Sequence, residues 1–159
     1  MKQRLLCGVL VCAVAVGLAS VRPASAQSVV FRGGATVDPD QGFFGMSYVT
    51  APLSGELRLQ PGADLGFGND VILSAIHIDF AQWFTLNPRW QLYFGGGPAV
   101  NIYRFDVGDS RGGESTTDVQ GGFDTLVGFA HESGATFEIR IGSNGSPNLR
   151  FAVGYGFGR

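Results

Sequence analysis

Two histidines carry the side chains best suited to proton transfer or metal binding near neutral pH. His77 stands two residues before Asp79, so the two side chains share one side of an extended chain. His131 is followed by Glu132 in a segment typical of a tight turn. A metal site needs three or four converging ligands, and neither pair supplies them. We therefore predict no metal, no cofactor and no catalytic residues, and interpret His77 as a buried, hydrogen-bonded histidine.

The chain after residue 27 alternates between apolar residues and small or polar residues with a period of two. This alternation predicts strands whose two faces lie in different environments. It is clearest near the C-terminus, and Pro61 is interpreted as a local irregularity within one strand rather than a turn. We predict eight strands at about residues 29–37, 43–51, 56–67, 72–81, 89–105, 119–129, 135–141 and 148–157. The longest connection, 107–117, then lies at the end opposite the termini.

The first 26 residues have the pattern of a secretory signal peptide. Lys2 and Arg4 precede an apolar run from Leu5 to Leu18, and Ala24-Ser25-Ala26 forms a small-x-small cleavage site. We predict a cleaved segment at 1–26 and one barrel domain at 27–159. Both cysteines, Cys7 and Cys12, fall in the segment removed, so the mature chain has no disulfide.

Removal of that segment leaves eight basic and 13 acidic residues, a net charge of −5. A protein that binds nucleic acid carries a basic stripe with interleaved aromatic residues, and no such stripe is present. Frequent glycine and phenylalanine, with 25 and 13 residues in the whole chain, argue against a soluble helical domain. After Gln27 no apolar run is long enough for a membrane-spanning helix, so insertion would have to use strands.

These patterns predict an all-β fold, an eight-stranded antiparallel up-and-down transmembrane β-barrel. If the apolar face points to lipid, the other face fills a barrel that is only wide enough for side chains. Buried charges are tolerable only when paired, so we predict a networked interior instead of an open pore. Aromatic residues near strand ends, including Trp83, Trp90 and Tyr103, would form girdles at the membrane interfaces. The predicted interior polar network comprises Arg32, Glu56, Arg58, Asp64, His77, Asp79, Arg89, Asp124, Glu138, Arg140 and Arg150.

Three segments carry a resemblance to a known family: residues 89–98 (RWQLYFGGGP), 137–140 (FEIR) and 149–157 (LRFAVGYGF). Their aromatic and glycine pattern resembles the small OmpA-type outer-membrane β-barrel domains, over most of the chain after residue 27. The resemblance implies a location in the outer membrane and a C-terminal signal, here Tyr155 and Phe157, for the barrel-assembly machinery. The expected partners are this machinery and outer-membrane lipid, including lipopolysaccharide, and the protein is expected to be a monomer.

Two alternative functions remain open from the sequence. Ser143-Asn144 with Pro147-Asn148 is similar to a stretch of outer-membrane lipid A deacylases, but Ile141 stands where those enzymes have histidine and Tyr155 near the position of the acid. A serine without a base is a poor nucleophile, so we expect no enzyme. The other alternative is a soluble periplasmic, lipocalin-like binder, in which the apolar face would point inward around a hydrophobic ligand.

Overall fold

The computed structural model describes residues 27–68, 71–106 and 115–158, and these residues form eight strands. Within these ranges no helix has the length and hydropathy to cross a membrane. The strands are β1 Ser28–Val37, β2 Gln41–Val49, β3 Leu57–Phe67, β4 Val71–Thr85, β5 Trp90–Asp106, β6 Ser115–His131, β7 Ala135–Ser143 and β8 Leu149–Phe157.

Each strand pairs antiparallel with its neighbours in chain order, and β1 pairs with β8 to close the barrel. The residue paired with Arg32 on each neighbouring strand has its own partner on the next strand, and this series can be followed around the barrel in both directions. Through β2 to β5 it leads to Gln120 of β6, and through β8 and β7 it leads to Ala130 of the same strand. This stagger of ten residues requires the strands to tilt against the barrel axis.

The two ends of the barrel differ. One end, here called the turn end, carries the first and last strand residues and the β2–β3, β4–β5 and β6–β7 connections. The opposite loop end carries the other connections. There the β5–β6 ladder extends to the pair Asp106 and Ser115. The β6–β7 ladder stops earlier, at Phe123, so β5 and β6 project beyond β7 at the loop end.

Several strand boundaries differ from those predicted. The β2 strand is shifted toward the N-terminus by two residues, and β6 begins at Ser115 rather than near Val119 because its early residues pair with the extended β5. A single β3 strand runs through Pro61, as predicted. Its ladder to β2 ends at Gly62, since proline has no N–H to donate, whereas its ladder to β4 continues. The predicted signal peptide, 1–26, and residues 107–114 of the predicted long loop lie outside the described residues.

The outer face is a belt of large apolar side chains that runs around the barrel. Every strand contributes to it, and the side chains stand open to the surroundings instead of packing in a core. Members of the belt include Phe31, Phe44, Leu65, Ile76, Ile78, Phe80, Phe94, Val100, Phe123, Val127, Phe137, Ile139, Phe151 and Val153.

The inner face carries charged and polar side chains. Several of these side chains lie against glycines, which have no side chain and therefore leave room for them. A Cβ added to Gly45 would overlap Asp64, and one added to Gly62 would overlap His77. Likewise, Gly128 lies under the ring of Tyr93. The narrow interior therefore holds large side chains because the facing wall is bare at these positions.

The predicted aromatic girdle is wrong at two positions. Trp83 and Tyr103 are buried inside the barrel. The ring of Trp83 stacks on Tyr93, with ring centroids 4.4 Å apart. Trp83 belongs to the same parity of β4 as His77 and Asp79, and extending that alternation to the strand end would have placed it inside.

We expect Gly128→Ala to destabilise the barrel by about 1–3 kcal/mol, because its methyl group overlaps the ring of Tyr93 and overpacking carries such a cost. The measurement is urea-induced unfolding in detergent micelles, followed by tryptophan fluorescence. Gly121→Ala on the same strand is the matched control, since a Cβ there meets nothing within 4 Å. Equal unfolding midpoints for the two variants would contradict this account of the inner wall.

Candidate functional site

The middle of the barrel interior holds eight ionisable side chains in mutual contact, here called the ionic cluster. All eight are buried. Because the sheet is closed, strands far apart in the chain bring these side chains together across the lumen. The cluster consists of Arg32, Asp64, His77, Asp79, Asp124, Glu138, Arg140 and Arg150.

Arg32 connects one side of the barrel to the other. Its Nε donates to Asp64 Oδ1 at 3.0 Å, and its Nη2 donates to both oxygens of Asp64 at 2.9 Å. Its Nη1 donates to Glu138 Oε1 at 2.9 Å. This forked contact with Asp64 is the geometry in which a guanidinium binds a carboxylate most strongly. Arg32 thus joins β1 to β3 and β7.

Arg140 and Arg150 bind the remaining carboxylates. Arg140 contacts Glu138 through Nε at 2.6 Å and Asp79 through Nη2 at 2.8 Å. Arg150 contacts Asp64 Oδ2 at 3.1 Å through Nη1 and donates through Nη2 to Asp124. Each acidic side chain of the cluster is therefore in contact with at least one arginine, which is the condition for burying such charges.

His77 fits this arrangement as a neutral imidazole. Its Nδ1 lies 2.7 Å from Asp79 Oδ2 and can donate to that carboxylate. Its Nε2 faces Nη2 of Arg32, which has only hydrogens to give, so this nitrogen accepts. Both ring nitrogens are then bonded without a second ring proton. Asp79 and Arg32 thus hold the His77 ring in place within the cluster. The described residues contain no group of three or more side chains able to hold a metal ion.

The structure also brings in a residue missing from the predicted network. The hydroxyl of Tyr93, on β5, donates to Glu138 Oε2 at 3.0 Å. With Tyr93 included, the cluster joins every strand except β2. Tyr93 lies on the inward parity of β5 with Gln91 and Gly95, so the alternation held the signal needed to find it.

Glu56 and Arg89, predicted in the interior, lie instead at the turn end, and this part of the prediction is wrong. Their side chains are 59 % and 74 % exposed. Both precede the first residue of their strands, where the alternation no longer determines direction. Arg58 is half-buried, and its guanidinium carbon lies 5.1 Å from the ring centroid of Trp83 rather than in the ionic cluster.

Below the ionic cluster, the turn end of the interior is closed by apolar side chains, here called the apolar plug. The plug consists of Val30, Val49, Ala81, Trp83, Tyr93, Leu126 and Ala130, all buried. The cavity between the plug and the cluster has a volume of about 10 Å³, enough for about one water molecule.

The other sequence candidates lie apart from the interior. Ser143 is exposed and donates to the carbonyl oxygen of Phe123 at 3.2 Å, while Ile141 points outward and offers no base. His131 bonds the hydroxyl of Ser133 within the β6–β7 turn. Tyr155 and Phe157 stand on the outer face with ring centroids 4.9 Å apart, and their role as an assembly signal stays a prediction.

We expect Arg140→Met to destabilise the barrel by about 3–5 kcal/mol, because it leaves Asp79 buried without an arginine and removes one of the two arginines that contact Glu138. The check is again the urea midpoint in micelles. Arg89→Met removes the same charge at an exposed position, so we expect its midpoint to match that of the wild type. If both variants unfold at the wild-type midpoint, the ionic cluster does not stabilise the fold.

Neither a family model nor a curated protein sequence matches the chain. Solved structures do. The match to neisserial surface protein A has a TM-score of 0.58 and 14 % identity over 84 % of this chain and 94 % of that one. The N-terminal β-barrel domain of Pseudomonas aeruginosa OprF has a TM-score of 0.55 and 13 % identity over 86 % and 100 %.

Ail, the attachment invasion locus protein of Yersinia pestis, has a TM-score of 0.52 and 13 % identity over 84 % of this chain and 100 % of that one. At such identities the likeness concerns the fold. Strand number, antiparallel order and closure agree among these barrels and with the resemblance found in the sequence. The chain therefore has the fold of the small OmpA-type outer-membrane β-barrel domains.

Proposed function

We propose that the chain is an integral outer-membrane β-barrel without enzymatic activity, whose role is structural or carried by its loops. The observation behind the proposal is the combination of an exposed apolar belt with a buried ionic cluster. A closed barrel leaves no unpaired sheet edge, and only such a sheet or a helix can satisfy its backbone within lipid.

The direction of the two faces favours lipid over water as the surroundings. Phe151, Val153 and Ile139 point outward, while Glu138 and Arg140 are enclosed. A lipocalin-like binder would need the reverse, with the apolar face around an internal ligand. Soluble proteins rarely expose a continuous apolar surface of this extent, whereas a lipid bilayer covers it.

The interior supports a closed barrel rather than a channel. The ionic cluster fills the middle of the lumen, and the apolar plug fills the turn end. The cavity between them holds about one water molecule. Solutes therefore have no open path through this part of the barrel.

The partners in this proposal are outer-membrane lipid, including lipopolysaccharide, and the barrel-assembly machinery during insertion. Export by the signal peptide and a monomeric state belong to the same proposal. The lipid A deacylase alternative is disfavoured because Ile141, two residues before Ser143 on β7, cannot act as a base, and the Ser143 hydroxyl donates to a backbone carbonyl.

For the membrane assignment, we expect the protein to sediment with outer membranes, to resist extraction by carbonate, and to migrate differently on gels before and after boiling. Ile139→Arg places a charge in the middle of the apolar belt and should destabilise the inserted barrel by about 2–4 kcal/mol, measured by urea unfolding in vesicles.

The matched control is Val119→Arg. Val119 also lies on the outer face, but it is four residues nearer the loop end than Phe123, where the β6–β7 pairing stops. Near the interface an arginine costs at most about 1 kcal/mol. Recovery of the wild-type protein as a soluble monomer without detergent would disprove the membrane assignment.

For the closed interior, we expect no steady conductance from the purified protein in planar lipid bilayers, because the plug and the cluster block the lumen. Well-resolved open channels in most insertions would contradict this.

For the absence of deacylase activity, we expect Ser143→Ala to leave the acylation of lipid A unchanged by comparison with the wild type, since the hydroxyl has no base. Lipid A acylation that depends on Ser143 would instead show an enzyme.

A further inference from the structure

A polar cleft with aromatic walls opens at the loop end of the barrel. Its volume is about 360 Å³, near the lower limit of small-ligand sites. Four segments meet there: the β1–β2 turn, the end of β5, the beginning of β6 and the β7–β8 loop. The side chains that matter are Asp38, Tyr103, Phe105, Gln120, Ser146 and Asn148.

The walls of the cleft are held together by hydrogen bonds between these segments. Asn148 donates from Nδ2 to Asp38 Oδ2 at 2.6 Å, and its backbone N–H donates to the Asp38 carbonyl at 3.3 Å. The hydroxyl of Tyr103 donates to the carbonyl oxygen of Gly145 at 2.8 Å. Below them, Asn101 donates to Ser146 Oγ at 3.0 Å. The cleft is therefore preformed, which reduces the entropy lost on binding.

These bonds engage part of the donors of the cleft, and carboxylate and amide oxygens remain as its acceptors. The hydroxyl of Tyr103 and one hydrogen of the Asn148 amide nitrogen are engaged, and one hydrogen of Gln120 Nε2 is donated to Asp118 Oδ2 at 2.5 Å. The bonds between the walls do not use the second carboxylate oxygen of Asp38 or the amide oxygens of Gln120 and Asn148. A ligand rich in donors can bond these oxygens, among which the Asp38 carboxylate is charged.

Charge and aromatic surface narrow the ligand further. Asp38 carries a negative charge at the edge of the cleft, and Asp118 lies next to Gln120. The rings of Tyr103 and Phe105 are stacked, with centroids 6.2 Å apart and planes 17° from parallel, and Phe105 is 40 % exposed. An exposed aromatic face next to a carboxylate attracts a cation that can stack.

We propose that this cleft binds the guanidinium group of a ligand, such as an arginine side chain of a basic peptide outside the cell. A guanidinium is planar, permanently charged and rich in donors, and it stacks on aromatic rings while it bonds carboxylate and amide oxygens. A guanidinium would be the kind of ligand that the loops bind, so the proposal rests on the proposed function. It adds a site separate from the ionic cluster.

The test is isothermal titration of the full protein in phosphatidylcholine nanodiscs with N-acetyl-arginine methylamide. We expect a dissociation constant on the order of 1 mM, as suits one small contact site. The citrulline analogue has nearly the same shape but no charge, and it should show no measurable binding. The lysine analogue should bind more weakly than the arginine probe, because an ammonium is not planar, does not stack on aromatic rings and does not form bidentate hydrogen bonds with a carboxylate.

The informative variant is Asp38→Asn, which removes the charge but keeps an oxygen for Asn148. Asp38 has a φ of 54°, and asparagine accepts this left-handed conformation well, so the turn is retained. We expect binding to weaken by about fivefold, as for the loss of one exposed ion pair. Asp40→Asn, in the same turn but outside the cleft lining, is the matched control and should weaken binding by less than about twofold.

A second variant, Phe105→Leu, removes the aromatic face and should weaken binding about threefold. Equal binding of the citrulline probe, unchanged binding by Asp38→Asn, or displacement of the arginine probe by equimolar Ca²⁺ would each overturn the inference. A protein that inserts into membranes but does not bind the probe would overturn the inference alone. A protein recovered without a membrane would overturn the proposed function, whether or not it binds.

Discussion

Closure of the sheet determines both the pairing of the strands and the environments of their two faces. The pairing of β1 with β8 removes both sheet edges, so every strand has hydrogen-bonding partners on both sides. Closure also separates two environments, because alternate residues of each strand must point either into the lumen or outward. A one-residue slip of any strand would exchange its two faces and bring apolar side chains among the arginines. The register is thus determined by the chemistry of both faces at once.

The small radius of an eight-stranded barrel explains how the interior is filled. Large side chains fit only where the facing wall is bare, as with Asp64 over Gly45 and Tyr93 over Gly128. Charged groups in so narrow a space have little access to water, and each arginine of the cluster contacts carboxylates from more than one strand. The interior changes along the axis from the apolar plug, through the ionic cluster, to the polar cleft at the loop end. The proposed role as a closed barrel rests on this filling, and the proposed ligand site lies at the loop end.

Much of this could be read from the alternation of residues, and the errors have physical causes. The strand count and the inward direction of most charged residues follow from a period of two, which any half-buried strand displays. The short connections between consecutive strands indicate their antiparallel order. The alternation fails where strands end, and for this reason it predicts an inward direction for Glu56 and Arg89 although they lie in exposed connections. Trp83 was assigned to an interfacial girdle from its position near a strand end, while its parity places it in the apolar plug. The start of β6 was missed because Thr116 and Thr117 are polar on both faces, where the ladder to β5 continues beyond the apolar belt.

The amino-acid sequence is enough to predict strands with one apolar and one polar face, since that information is local and repeats every two residues. It also determined that the polar face contains both signs of charge. Which charges meet depends on the folded barrel, because Arg32, Asp64 and Glu138 are distant in the chain and come together through the ten-residue stagger of the closed sheet. The same holds for the cleft at the loop end, whose walls come from four separate segments. Contacts across a lumen depend on closure and tilt, and neither is written in the alternation of a single strand.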